Sequence, residues 1–257
     1  MSAYQAPLKD IRFTLNQICD LEGTLTLPKF ADTDGDTANA VLEEAGRLAA
    51  GILAPLNRQG DTQGATLANG VVTTPDGFRE AYAAFRDGGW NGIPFDPEFG
   101  GMGLPISIAN ACAELWNSAN MGFALCPMLT QGAIDAIGAH GSDALKEIYL
   151  ENLVTGQWTG TMNLTEPQAG SDVGALRSRA EPAADGPWRI KGQKIFISYG
   201  EHDYTDNIIH LVLARTPDSP EGTRGISLFV VPKFLVNDDG SLGQRNDLRC
   251  INLEEKL

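Results

Sequence analysis

The chain has 257 residues, which is long enough for one large domain or for two smaller domains with hydrophobic cores of their own. Hydrophobic residues make up 42% and charged residues 20%, the ordinary composition of a globular protein. With 19 Lys and Arg against 33 Asp and Glu the formal net charge is −14, and so acidic a surface argues against binding to nucleic acid or to anionic membranes.

The cysteines and the apolar runs indicate a cytoplasmic protein. The four cysteines are scattered, with no CxxC pair and no zinc-type spacing; they are Cys19, Cys112, Cys126 and Cys250. No signal peptide is recognisable, and the most apolar stretch, 208–214, is far too short to span a bilayer. The three histidines share no ligand spacing with Asp or Glu, so no metal site is predicted.

Helical spacing of apolar residues dominates the chain up to about residue 158, after a mixed N-terminal extension of about thirty residues. A first helix is predicted to begin near Asp36, a good N-cap residue, and to be bent or ended by Pro55. Its predicted core face is Val41, Ala45, Leu48, Ile52 and Leu56. This periodicity predicts a helical bundle.

A second helix is predicted to have Thr74 as N-cap and Pro75 as its first residue. Its inner face would carry Phe78, Tyr82 and Phe85, and the pair Gly88-Gly89 would stop it. Further helices are predicted over 106–119, 128–138 and 142–154. The whole of 36–156 is expected to be helix and loop.

Strand-like segments replace the helical pattern after Gln157. They are 158–164, 188–198, 208–215 and 225–231, with Asp185-Gly186 as a hairpin turn before Trp188. Strands that follow helices predict an α+β fold: an N-terminal extension plus helical domain over 1–158, then an antiparallel β-barrel-like domain over 159–257. Another strand-like run at 249–253 is not followed by a closing element, so the β-domain is expected to be incomplete.

The segment 162–174 is the richest in chemistry. It contains Thr165-Glu166-Pro167-Gln168-Ala169-Gly170-Ser171-Asp172 directly after a predicted strand. Gly170 would let a ligand approach the backbone closely, successive N–H groups could bind an anion, and Thr165 and Ser171 offer hydroxyls. Taken alone, such a sequence is more often a simple polar turn than a binding site.

That octapeptide resembles the flavin loop of the acyl-CoA dehydrogenase family. Three more segments resemble that family in the same order, so that the resemblance spans about residues 40–231; they are 89–104, 141–158 and 190–198. The N-terminal extension resembles that of a large subgroup which includes 3-methylmercaptopropionyl-CoA dehydrogenases. The resemblance implies a cofactor, FAD, and a C-terminal helical domain that is missing from these 257 residues.

The resemblance also implies roles for six residues of a partial FAD site. Leu164 and Thr165 would contact the pyrimidine end of the isoalloxazine, while Gly170 and Ser171 would lie against the pyrophosphate. Phe196 stands where the family usually has a tryptophan beside the flavin, and Ser198 where it usually has a threonine near the flavin N5. Both substitutions keep the chemical type, whereas Asn163 replaces a small residue and leaves contact at that position open.

The resemblance assigns no catalytic residue to this chain, because the family's general base is a glutamate of the C-terminal helical domain. Glu166, in the turn before Pro167, is expected to be structural rather than a base. The intact protein would dehydrogenate an acyl-CoA thioester at its α,β-bond in fatty acid metabolism, pass electrons to an electron-transferring flavoprotein and form a homo-oligomer. Two alternatives stay open: a flavin oxidase or monooxygenase on the same fold, and a non-catalytic truncated chain.

Overall fold

The computed structural model describes residues 4–184 and 186–254. Seven helices are described, and short π-helical turns at Thr14–Ile18 and Ala49–Leu53 continue the first and third of them. The helices are α1 Leu8–Phe13, α2 Leu21–Leu25, α3 Gly35–Leu48, α4 Ala54–Gln63, α5 Phe78–Asp87, α6 Ile106–His140 and α7 Asp143–Val154. The described strands are β1 Thr66–Ala68, β2 Val71–Thr73, β3 Thr159–Asn163, β4 Arg179–Pro182, β5 Trp188–Lys191, β6 Ile208–Arg215, β7 Ile226–Pro232, β8 Phe234–Val236 and β9 Leu242–Arg245.

The first long helix differs from its prediction at its start and in its middle. Asp34, not Asp36, is the N-cap, and its carboxylate accepts a hydrogen bond from the Thr37 amide at 2.8 Å. The π-helical turn inserts one residue before α4, so the core face moves from Ile52, which is 36% exposed, to the fully buried Leu53. Pro55 lies in the first turn of α4 and does not end the helix, because the backbone at Leu53 and Ala54 stays right-handed helical from the π-helical turn into α4.

The start of α5 was also wrongly predicted. Its N-cap is Gly77, in a left-handed conformation, because Thr74 is occupied elsewhere: its hydroxyl donates to Asp203 Oδ1 at 2.7 Å. The predicted inner face is confirmed, since Phe78, Tyr82 and Phe85 are all buried. The helix ends at Gly88-Gly89 as expected, with Gly89 left-handed (φ 70°).

The long helix α6 contains two of the predicted helices. Its backbone leaves helical geometry at Asn120 (φ −158°, ψ 87°), so the predicted helix 106–119 ends there as expected. The second predicted helix, 128–138, begins several residues earlier than expected and continues to His140. Asn120 bridges the break, because its side chain donates to Leu53 O at 3.1 Å and accepts from the Phe123 amide at 3.0 Å.

A small hairpin makes the expectation of only helix and loop before residue 157 wrong. Strands β1 and β2, of three residues each, pair antiparallel between α4 and α5. Asn69 and Gly70 form the turn with positive φ angles of 53° and 76°, the backbone that such tight hairpins require. The strands are too short and too exposed to form a core of their own.

The predicted α+β fold is confirmed, and the second half of the chain is a curled sheet. The sheet is mixed rather than purely antiparallel: β6 pairs in parallel with β3 and with the first residue of β4, and antiparallel with β7. Strand β4 forms a hairpin with β5, although one predicted turn residue, Asp185, lies outside the described residues. Two further expectations fail, because only Trp188–Lys191 of the segment 188–198 is a strand and no strand is described at 249–253.

Two cores hold the helices together and fix the sheet to them. One lies among α3, α5 and the first half of α6; the other lies between the second half of α6, α7 and the inner residues of β6, Ile209 and Leu211. Gly160 of β3 crosses α6 so closely that an added Cβ would lie 2.4 Å from Ala133 Cβ. Since Ile209 and Leu211 face the helices, their neighbours Ile208, His210 and Val212 face the other side of the sheet. No helix in the described ranges is both long and apolar enough to cross a membrane.

Candidate cofactor-binding site

The candidate loop begins where β3 ends. Along β3, the side chains of Thr159 and Thr161 bond to residues 198–205, whereas Gly160 packs on α6. Successive residues of the strand therefore face opposite sides of the sheet. Leu164 and Thr165 follow directly. The chain then reverses in a tight turn in which Glu166 and Ala169 exchange both backbone hydrogen bonds, at 2.9 and 3.0 Å.

Glu166 is the structural centre of this loop. The residue is buried, with 4% of its surface exposed. Its carboxylate accepts hydrogen bonds from the amides of Arg177 (2.7 Å) and Ser178 (3.0 Å) and from Gln168 Nε2 (2.7 Å). It also forms an ion pair with Lys194 Nζ at 2.9 Å. Burial alone would raise the pKa of Glu166, but the hydrogen bonds from Ser178, Arg177 and Lys194 outweigh it and lower the pKa to about 2. A carboxylate so held is a poor general base, in agreement with the structural role expected for it.

A second segment, 192–198, lies alongside the loop. The Ile195 amide donates to Thr165 O at 2.9 Å, and Lys194 Nζ donates to Leu164 O at 3.0 Å. The Thr161 hydroxyl donates to Ser198 O at 2.7 Å. These three bonds bring the two sequence-predicted segments, 164–171 and 196–198, to one surface.

Exposed apolar groups and hydroxyls without protein partners characterise this surface. Phe196 is 68% exposed and Leu164 36% exposed, which is unusual for such large apolar side chains. The Phe196 backbone has a positive φ of 57°, a conformation that is uncommon for a bulky side chain. Within the described ranges, the hydroxyls of Thr165, Ser171 and Ser198 make no hydrogen bond to the protein.

The Gly170 end of the loop is open. An added Cβ on Gly170 would meet only Thr165 Cγ2, at 3.5 Å, which is an ordinary contact, and Gly170 and Ser171 are both exposed. The protein itself therefore does not require a glycine at this position. A ligand that packs against the backbone would require one.

Arg215 fastens the loop that follows. Its guanidinium donates to four carbonyl oxygens: Leu176 at 3.2 Å, Gly174 at 2.5 Å, Pro220 at 3.1 Å and Gly222 at 2.9 Å. Because Arg215 ends β6, the candidate anion-binding loop is tied to the sheet through one side chain.

A broad open groove of about 2570 Å³ borders the candidate surface without coinciding with it. Phe196 and Ser198 line this groove, but Leu164, Thr165, Gly170 and Ser171 do not. Within the groove, His210 Nδ1 lies 3.2 Å from Asn163 Oδ1, while its Nε2 has no hydrogen-bond partner among the described residues. One of the two ring nitrogens of His210 is therefore bonded and the other is not. Burial lowers the pKa of His210 to about 3, which leaves it neutral.

Sequence reasoning missed the side chains that hold the site together. Lys194, Thr161 and Arg215 bond to groups that are 28 to 41 residues away along the chain, so the octapeptide 165–172 does not reveal these contacts. Lys194 does lie within the family-like segment 190–198, next to the predicted strand, and its charge opposite Glu166 could have suggested the pair. No cluster of three or more His, Cys, Asp or Glu suited to a metal is found among residues 4–184 and 186–254.

Comparison with known protein families gives two matches. The model of the acyl-CoA dehydrogenase N-terminal domain matches residues 35–157, and that of the acyl-CoA dehydrogenase middle domain matches residues 161–247. Among curated proteins, the chain is 52% identical over 254 residues to 3-methylmercaptopropionyl-CoA dehydrogenase of Ruegeria pomeroyi. That match covers 99% of this chain and 43% of the relative, so the chain spans less than half the length of that protein.

Two solved structures are similar in fold. Butyryl-CoA dehydrogenase of Megasphaera elsdenii superposes with a TM-score of 0.63 at 26% identity, covering 77% of this chain and 49% of that one. An acyl-CoA dehydrogenase of Bacillus anthracis, described as complexed with FAD, superposes with a TM-score of 0.64 at 21% identity, covering 79% of this chain and 31% of that one.

Proposed function

The chain belongs to the acyl-CoA dehydrogenase family, and we propose on that basis that it carries part of the FAD site of an enzyme that dehydrogenates an acyl-CoA thioester at the α,β-bond. The observation that carries the proposal is the surface formed by 164–171 and 195–198, held together by the Ile195–Thr165 backbone bond. It combines an exposed aromatic ring, an unobstructed Gly170 and three hydroxyls that have no partner in the part of the chain that the structure describes.

The residues of this surface fit FAD. Phe196 and Leu164 offer apolar area for a flat ring system, and the Thr165 and Ser198 hydroxyls offer donors at its edges. Ser171 and the open backbone at Gly170 suit an anionic pyrophosphate. FAD, when bound, would accept the hydride that leaves the β-carbon of the thioester.

The chain's own residues would bind and orient rather than transfer the proton. Glu166, with its pKa held at about 2 by Lys194 and two amides, stays an ionised structural anchor at neutral pH. His202 and His210 are buried, and burial lowers the pKa of each to about 3, so both are weak bases at neutral pH. We therefore place the general base outside the residues that form this surface.

The substrate, the electron acceptor, the assembly, the location and the domain division complete the proposal, each with its own support. The substrate class and a role in fatty acid metabolism follow the family, and a 3-methylmercaptopropionyl-CoA-like thioester follows the 52% identity. An electron-transferring flavoprotein as acceptor and a homo-oligomeric assembly follow the family alone. A cytoplasmic location is supported by the cysteines, since all four are free thiols. The division into a domain over 1–158 and a domain over 159–257 is supported by the two family matches, which meet near residue 159.

The direct test is to purify the natural protein that carries this chain and to add acyl-CoA thioesters in the absence of air. We expect bound flavin with an absorbance band near about 450 nm that is bleached by a thioester but not by the free acid. Absence of flavin, or a band that no thioester bleaches, would contradict the proposal. Rapid reoxidation of the bleached flavin by air would instead indicate an oxidase on the same fold.

A further inference from the structure

Tyr199 has an unusual backbone for its residue type. Its φ is 52°, and it follows Phe196, Ile197 and Ser198 in the segment that forms one side of the candidate FAD surface. A tyrosine has no intrinsic preference for this left-handed conformation, so the surrounding contacts must enforce it.

The Tyr199 hydroxyl supplies such a contact. It lies 2.6 Å from Gly122 O and 3.3 Å from the Tyr204 hydroxyl. Because a carbonyl oxygen can only accept, Tyr199 must donate to Gly122 and can only accept from Tyr204. Burial raises the pKa of Tyr199, which keeps this hydroxyl protonated and able to donate.

The ring of Tyr199 is fixed as well. It packs edge-on against His202, with centroids 5.7 Å apart, and at a tilt against Tyr204, 5.6 Å apart. Tyr204 in turn stacks on Tyr82 of α5 at 4.9 Å. Tyr199 thus joins the segment to the core of the helical bundle through both its ring and its hydroxyl.

Gly122 belongs to the first turn after the break in α6. The break at Asn120 is itself held by the bond from Asn120 to Leu53 O, at the end of the π-helical turn before α4. The position of the Gly122 carbonyl is therefore set by the packing of α4 against α6. The bond from Tyr199 to Gly122 O therefore fixes the segment that carries Phe196 and Ser198 relative to α6.

We propose that Tyr199 is a positioning residue for the flavin, which registers the Phe196–Ser198 segment against the break in α6 by donating its hydroxyl to Gly122 O. This inference rests on the proposed function, because it takes Phe196 and Ser198 as flavin contacts. It assigns the helical domain a part in the geometry of a site that lies on the β-domain.

The test compares Tyr199→Phe, Tyr199→Asn and the parent in the natural FAD-containing protein. Tyr199→Phe keeps the ring contacts and removes only the donor, whereas Asn accepts the left-handed backbone readily but is too short to reach Gly122. Tyr4→Phe is the matched control, since it removes a tyrosine hydroxyl that also bonds to a carbonyl of α6, Leu115 O. For each variant the FAD dissociation constant, the flavin band shape and the amide hydrogen exchange of 195–200 are measured, together with the urea midpoint.

Both Tyr199 variants are expected to weaken FAD binding by about 3- to 10-fold, the effect of one lost hydrogen bond, to alter the flavin band and to speed exchange at 195–200. Tyr4→Phe is expected to shift only the urea midpoint. Unchanged FAD binding in Tyr199→Phe, or parent-like binding in Tyr199→Asn, would overturn the inference while leaving the proposed function intact. A parent protein that binds no FAD would instead overturn the proposed function, and this inference with it.

Discussion

At the scale of single residues, the candidate site depends on a side chain that does no chemistry. Glu166 joins the turn at 166–169, the amides of Arg177 and Ser178 and the ammonium of Lys194. The motif predicted a structural role for it, but sequence could not show which groups it would bind. Those partners are 11 to 28 residues away along the chain.

Replacing Glu166 by Gln is expected to destabilise the protein by about 3 kcal/mol at neutral pH, because it leaves the buried Lys194 ammonium without its counter-charge. Urea unfolding monitored by circular dichroism measures this. Glu181→Gln is the control, since Glu181 is exposed on β4 and its neutralisation should change stability by less than about 0.5 kcal/mol.

The same pair predicts a pH dependence. Hydrogen bonds and Lys194 lower the pKa of Glu166 to about 2 in the folded protein from an ordinary value of 4.5, so its stabilisation is fully present above pH 4.5 and is lost as pH falls toward 2. The difference in unfolding free energy between the parent and Glu166→Gln should therefore shrink as pH falls from 4.5 to 2. A difference that stays constant over that interval would show that folding does not lower the pKa of Glu166.

Gly170→Val separates folding from cofactor binding. Gly170 is exposed and an added Cβ makes only an ordinary contact, so the helical domain and the sheet should keep their circular dichroism and their stability to within about 0.5 kcal/mol. A branched Cβ would nevertheless block a ligand that packs against the backbone, so FAD should be lost on purification of the natural protein. Retention of the full flavin band in a folded Gly170→Val variant would refute the placement of the site.

At the scale of elements, apolar periodicity predicted most of the helices. It failed where a π-helical turn inserts one residue and where a cap-type side chain bonds to a residue far away in sequence. Because of the π-helical turn at Ala49–Leu53, Leu53 rather than Ile52 lies in the core. A regular helical spacing of apolar residues cannot predict this change. Thr74 resembles an N-cap but bonds to Asp203, 129 residues away. The segment 192–198 alternates like a strand, yet its hydrogen bonds go to Thr165 and Thr161 rather than to a strand ladder.

The contact between β3 and α6 gives a prediction for an element junction. Gly160→Ala would place a methyl group 2.4 Å from Ala133 Cβ and should destabilise the protein by about 1–3 kcal/mol, the usual result of overpacking. The control is Gly132→Ala, in α6 next to Ala133. Nothing lies within 4 Å of its added Cβ, so the substitution should be neutral or stabilise by up to about 1 kcal/mol. Equal urea midpoints for the two variants would contradict the close packing described for β3.

At the scale of the whole molecule, the order of helices before strands predicted the α+β class, and four family-like segments predicted the family. The parallel pairing of β3 with β6 was not predicted, because local sequence does not determine which strands become neighbours. The six proposed FAD contacts could be selected only through the resemblance. Composition and spacing alone left a polar turn and an alternating strand.

The central claim is that these 257 residues hold a partial flavin site, and one titration tests it most directly. FAD is added to the isolated 257-residue chain and followed by flavin fluorescence, and a panel of acyl-CoA thioesters with a dye acceptor is then added. We predict a dissociation constant weaker than about 1 μM and no thioester-dependent bleaching, because one face of the ring would stay in water and general-base assistance, worth about 10²- to 10⁴-fold, would be absent. Submicromolar FAD affinity or bleaching by a thioester would show instead that the chain is a complete enzyme.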